Sequence, residues 1–171
     1  MAGQAAEALF IRTLELFLAS ERSASLLVLD YHQAAEWAEV DVHEPVRVAC
    51  QEFASVEVIT DENVDSSCVY VLTMSSGRVA TVFLSTLLPY AAVVSTGDGP
   101  ARLLDAQEVR DESSDLMDVI DRAGLKIVEP TTCQLLTRFV DPVSRTQRTV
   151  FEVLFERDVD PPWKWSLSQS L

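Results

Sequence analysis

Asp30, His32 and Glu36 are the one group in the chain whose types and spacing suggest a metal or acid–base site. On a helix, residues four apart share a face, so His32 and Glu36 would project together. Imidazole and carboxylate ligands can hold zinc or iron. The set lacks a further ligand at suitable spacing, because the other histidine, His43, lies eleven residues on. The expectation is therefore an ordinary surface His–Glu pair, with no metal and no cofactor. The cysteines Cys50, Cys68 and Cys133 are far apart, form no CxxC pair, and stand in apolar surroundings without a flanking base. Such thiols are expected to be buried and reduced rather than nucleophilic.

Other catalytic signatures are missing from the sequence. None of the five glycines has the spacing of a phosphate-binding or dinucleotide-binding loop. There is no GxSxG elbow, and nothing near either histidine announces a nucleophile. The expected role is thus not catalysis. The alternative kept beside it is a small enzyme or small-molecule-binding protein with its site near Asp30, His32 and Glu36.

Charge is more informative. The chain carries a net −14, concentrated in two segments. Residues 30–65 contain ten acids against Arg47 alone, and residues 105–122 contain seven against Arg110 and Arg122. From residue 124 onward acids and bases balance. Such a surface repels nucleic-acid phosphates and anionic lipid, and it speeds the encounter with cationic partners. Asp111, Asp115 and Asp118, at spacings of four and three, are expected on one side of a helix. Together with Glu36, Glu39 and Asp41 they are the candidate partner-binding residues. An acidic surface that only solvates the protein is the plainer reading of the same residues.

The elements that would hold these residues are organised around a hairpin at 68–94. Two β-branched and aromatic runs flank Ser75, Ser76 and Gly77, a short loop whose glycine suits a left-handed position. Both faces of both runs are apolar, which predicts a central hairpin covered on both sides. Residues 90–94 predict a third strand after Pro89, and 56–59 a short strand before the hairpin. A helix is expected over 4–20, with Leu9, Leu16 and Phe17 in a broad apolar stripe. A second helix is expected from Ser113 or Ser114 to Ala123, with Gly124 as its stop and Leu116, Val119, Ile120 and Ala123 buried.

Residues 101–109 read as a connector, 125–128 as a short strand, and 133–140 as a strand by preference. Residues 148–156 alternate, which predicts a half-buried strand pairing back on the sheet. Trp163 and Trp165 are expected to cap one end of the core; an aromatic binding hot spot is the other reading.

These expectations combine into one α+β domain over residues 1–171: a mainly antiparallel sheet of about five strands, covered by the N-terminal helix and the 113–123 helix. With 171 residues, 48% of them hydrophobic, a core forms without staples. No apolar run reaches membrane-spanning length, and the N-terminus lacks a secretory pattern. The expectation is a small acidic cytoplasmic protein that acts by protein binding. Its partner would be basic, as for an immunity-type inhibitor or a chaperone. Neither nucleic acid nor membrane is an expected partner, and a homo-oligomer is compatible with the broad N-terminal stripe.

Overall fold

The structure, a computed structural model, describes residues 10, 12, 53, 55–58, 67–74, 76–85, 88–96, 99–140, 144–155 and 161–164. The helix expected over 4–20 lies outside the described residues, apart from Phe10 and Arg12. So do Asp30, His32, Glu36, Glu39, Asp41, Cys50 and Trp165.

The fold is α+β, built on a mainly antiparallel sheet. Its strands are β1 (Ser55–Val58), β2 (Ser67–Thr73), β3 (Val79–Ser85), β4 (Tyr90–Ser95) and β5 (Arg102–Leu104), hydrogen-bonded in that order. A sixth, β6 (Lys126–Ile127), pairs parallel with β4 at Tyr90 and Ala91, while β5 takes Val93 to Ser95. The β2–β3 hairpin turns as expected. Gly77 has φ +79, and its N–H donates to the Met74 carbonyl at 2.9 Å.

Register explains why the sheet is covered on both faces. Tyr70, Val82, Val93 and Leu104 stand opposite one another in a row across β2 to β5, all fully buried. That face packs against helix α1 (Ala106–Glu112) and helix α2 (Ser114–Arg122) through Val109, Leu116, Met117, Val119 and Ile120. On the other face Val69, Phe83 and Ala92 form a row. It packs against α3 (Pro130–Cys133) and α4 (Val150–Leu154). Phe151 meets Phe83 edge-on at 5.3 Å between centroids, a favoured aromatic geometry. Ala92, opposite Phe83, keeps that row small enough to admit the second ring.

Three segments depart from expectation. Residues 101–109 are not a connector: they hold β5 and the start of α1. Asp105 caps that helix, accepting from Glu108 N at 2.8 Å while Glu108 Oε2 accepts from Asp105 N at 3.0 Å. Residues 133–140 are strand only in part, since α3 ends at Cys133 and β7 spans Leu136–Val140.

Residues 148–156 are not one strand. β8 (Gln147–Thr149) pairs with β7 in a separate two-stranded ribbon, and the chain then turns into α4. The reciprocal cap between Thr149 and Glu152 starts that helix. Val150, Phe151, Val153 and Leu154 are buried at helical spacing, so the apparent alternation had apolar residues on both of its faces.

Beyond α4, a 3-10 turn at Pro162–Lys164 lies against β5. Trp163 is 37% exposed and rests edge-on against Phe151 at 5.8 Å, which is the end-capping position expected of it. Among the described residues no helix is long and apolar enough to cross a membrane.

Candidate protein-binding surface

The acidic segment 105–122 folds as two short helices rather than one. Ser113 is the joint: at φ −157 and ψ 100 it ends α1 and opens α2, and its Oγ accepts from Leu116 N at 3.2 Å. A residue in extended conformation cannot continue a helix, so the axis breaks there. Asp111 therefore belongs to α1 and does not share a helix face with Asp115 and Asp118. The spacing of four and three counted across the break, which is why that expectation fails.

Structure sorts the seven acids by task. Asp105 and Glu108 are engaged in the cap of α1, and Glu108 Oε1 also accepts from Arg102 Nη1 at 2.6 Å. Glu112, with its side chain only 15% exposed, faces Arg78 and Arg102. Asp121 pairs with Arg110 at 3.4 Å, and both are more than half exposed, so water screens that pair to little energy. Asp111 Oδ1 accepts from the Gln107 amide, a neutral partner, at 2.8 Å.

Asp115 and Asp118 remain. Both are exposed on α2, and among the described residues neither carboxylate has an ion pair or hydrogen bond. The opposite side of α2 is anchored by Leu116, Met117, Val119 and Ile120. Arg122 Nε donates to the Asp118 carbonyl at 3.2 Å, leaving the Asp118 carboxylate outward. Asp115, Asp118, Asp121 and Arg122 border a shallow depression. This arrangement can attract a cation and exchange water for guanidinium or ammonium groups. It holds no nucleophile or acid–base pair.

The other candidates stand as follows. Glu36, Glu39 and Asp41 lie outside the described residues, as do Asp30 and His32. Among the described residues no group of three or more His, Cys, Asp or Glu is placed to hold a metal ion. Cys68 and Cys133 are buried, and neither is in a disulfide. Burial, and then the charge of Glu129, push the Cys133 thiol up to about 12. It is thus protonated at neutral pH and inert as a nucleophile.

What sequence reasoning missed is the structural employment of Asp105, Glu108 and Glu112. The Asp-x-x-Glu run at 105–108 is a capping-box signature and was available as a signal. The contacts of Glu112 with Arg78 and Arg102 join distant positions and had no local signal.

In comparisons with known proteins, no family model, no curated protein and no solved structure matches this chain.

Proposed function

We propose that the chain acts by binding another protein, and that the outer side of α2, with Asp111 on the adjoining helix, docks a basic partner. The observation that supports this reading is the pair Asp115 and Asp118. Their carboxylates are exposed and uncompensated among the described residues, on a helix whose other side is fixed in the core. Uncompensated charge on a rigid support is what steers association, because the field survives to a Debye length of about 8 Å at physiological ionic strength.

An immunity-type inhibitor or a chaperone of a basic client would use such a surface. Glu36, Glu39 and Asp41 would extend it. A reducing compartment, the cytoplasm, agrees with buried thiols outside any disulfide. For self-association, the exposed Leu136 and Val140 on β7 offer apolar contact to a second copy. The alternative of a small enzyme or ligand-binding site rests on Asp30, His32 and Glu36, which lie outside the described residues.

The test replaces Asp111, Asp115 and Asp118 together by Asn, which keeps size and polarity. Affinity capture at low salt, with parent and triple variant side by side, should recover a basic protein with the parent only. With that protein purified, the variant should associate more slowly and with a flatter salt dependence, while its thermal midpoint stays close to that of the parent. Equal on-rates at every salt concentration would reduce this surface to a solvating one.

A further inference from the structure

At one end of the sheet, the hairpin turn, the end of β4, the start of β5 and the end of α1 enclose an open cleft of about 740 Å³. Its described lining includes Arg78, Arg102 and Glu112, with the hydroxyl residues Ser76, Ser95 and Thr96. The described lining thus carries two guanidiniums and one carboxylate, and Glu108 pairs with Arg102 beside it.

The guanidiniums converge. Arg78 Nη1 is 3.7 Å and Arg102 Nη2 is 3.6 Å from the same atom, Glu112 Oε1. Both distances exceed the roughly 2.7–3.2 Å of an N–H···O hydrogen bond, so the carboxylate draws both cations without satisfying the donors. Arg102 Nη1 is spent on Glu108. The Arg78 guanidinium makes no hydrogen bond among the described residues and is 61% exposed. What is left is a pair of planar forks, preset around one oxygen position, with unused donors facing an open cleft. Such forks match the two-oxygen edge of a carboxylate or a phosphate.

We propose that this cleft binds the oxyanion group of a small ligand, held between Arg78 and Arg102. A phosphomonoester and a carboxylate share the chemistry required. Glu112 preorganises the two arginines and also competes with the ligand for them. The inference is independent of the acidic surface on α2.

Titration calorimetry on the purified chain tests it, with inorganic phosphate, phenyl phosphate and succinate as probes against chloride at constant ionic strength. Saturable binding of one probe per chain is expected. Arg78→Gln should weaken it at least tenfold; that side chain is exposed, so the variant should fold, and its thermal midpoint checks this. Arg102→Lys should weaken it several-fold, because it keeps the charge and loses the fork. Glu112→Gln should tighten it several-fold, although it removes an ion-pair partner. A purely structural salt-bridge cluster would not give that rise in affinity. The stronger of the phosphate and succinate arms identifies which oxyanion the cleft takes. No saturable binding of any probe, or binding unchanged by Arg78→Gln, overturns the proposal.

Discussion

Cys133 shows how far a side chain's chemistry can be set by its surroundings. Its Sγ donates to the Val128 carbonyl at 3.8 Å, and the residue is fully buried between α3 and the sheet. Burial, and secondarily Glu129, raise its folded value to about 12, from the ordinary 9.0 that the unfolded chain retains. The unfolded state therefore loses this proton first. The contribution of the thiol to stability is full below pH 9.0 and is lost progressively as pH climbs toward 12. Denaturant unfolding between these limits should show a steeper loss of stability in the parent than in Cys133→Ala, by up to one proton's worth of slope. Identical slopes would mean that the thiol is wetted or ionised in the fold. Apolar neighbours in the sequence were enough to expect the burial of Cys68 and Cys133, because burial follows from local composition. The employment of Glu112 was not legible, because Arg78 and Arg102 reach it only after β3, β5 and α1 are assembled.

At the scale of elements, legibility followed the strength of local signals. The β2–β3 hairpin, β4 and α2 were readable because each combines a run of suitable side chains with a specific boundary residue: Gly77 in the turn, Pro89 before the strand, and Gly124 at φ +72 after the helix. The short helices α1 and α4 were not. Each spans fewer than two turns, too short for a repeated amphipathic pattern, and α1 buries only Val109. Their caps were the signal, Asp105 with Glu108 and Thr149 with Glu152, and hydrophobic alternation obscured the second.

The two readings of 148–156 differ in the effect of one substitution. Thr149 Oγ1 accepts from Glu152 N at 3.3 Å and bonds Glu152 Oε2 at 2.7 Å. Replacing it by Val keeps the branched shape, which a strand would tolerate or prefer. It removes the cap oxygen, which should cost about 1 kcal/mol in a helix. A lower denaturation midpoint for Thr149→Val is therefore expected. An unchanged or raised midpoint would return these residues to a strand.

For the whole molecule, the sheet is the shared wall of two cores. Successive residues of β2, β3 and β4 point alternately into the α1–α2 side and the α3–α4 side, as Tyr70 and Val69, Val82 and Phe83, Val93 and Ala92 illustrate. Neither side can lose its strands without exposing the other. A direct tie also crosses the sheet's edge, where Ser67 Oγ at the start of β2 donates to the Phe155 carbonyl beyond α4. Phe151 is the centre of the second core, fully buried and in ring contact with Phe83, Phe155 and Trp163. Truncating it to Ala should cost about 3–5 kcal/mol, the usual range for an aromatic side chain lost from a core. Because the wall is shared, the loss should spread. Hydrogen exchange should show the amides of α2, on the far side of the sheet, losing protection in Phe151→Ala by the same free energy as those of α4 and β3. Ile120→Val, on the α2 side, should lower all three together in the same way, by about 1 kcal/mol. If Phe151→Ala lowers protection only in α4 and the β7–β8 ribbon while α2 is unaffected, the second core opens as a separate unit. The sheet would then remain folded on α1 and α2 alone, with Asp115 and Asp118 still held exposed on α2.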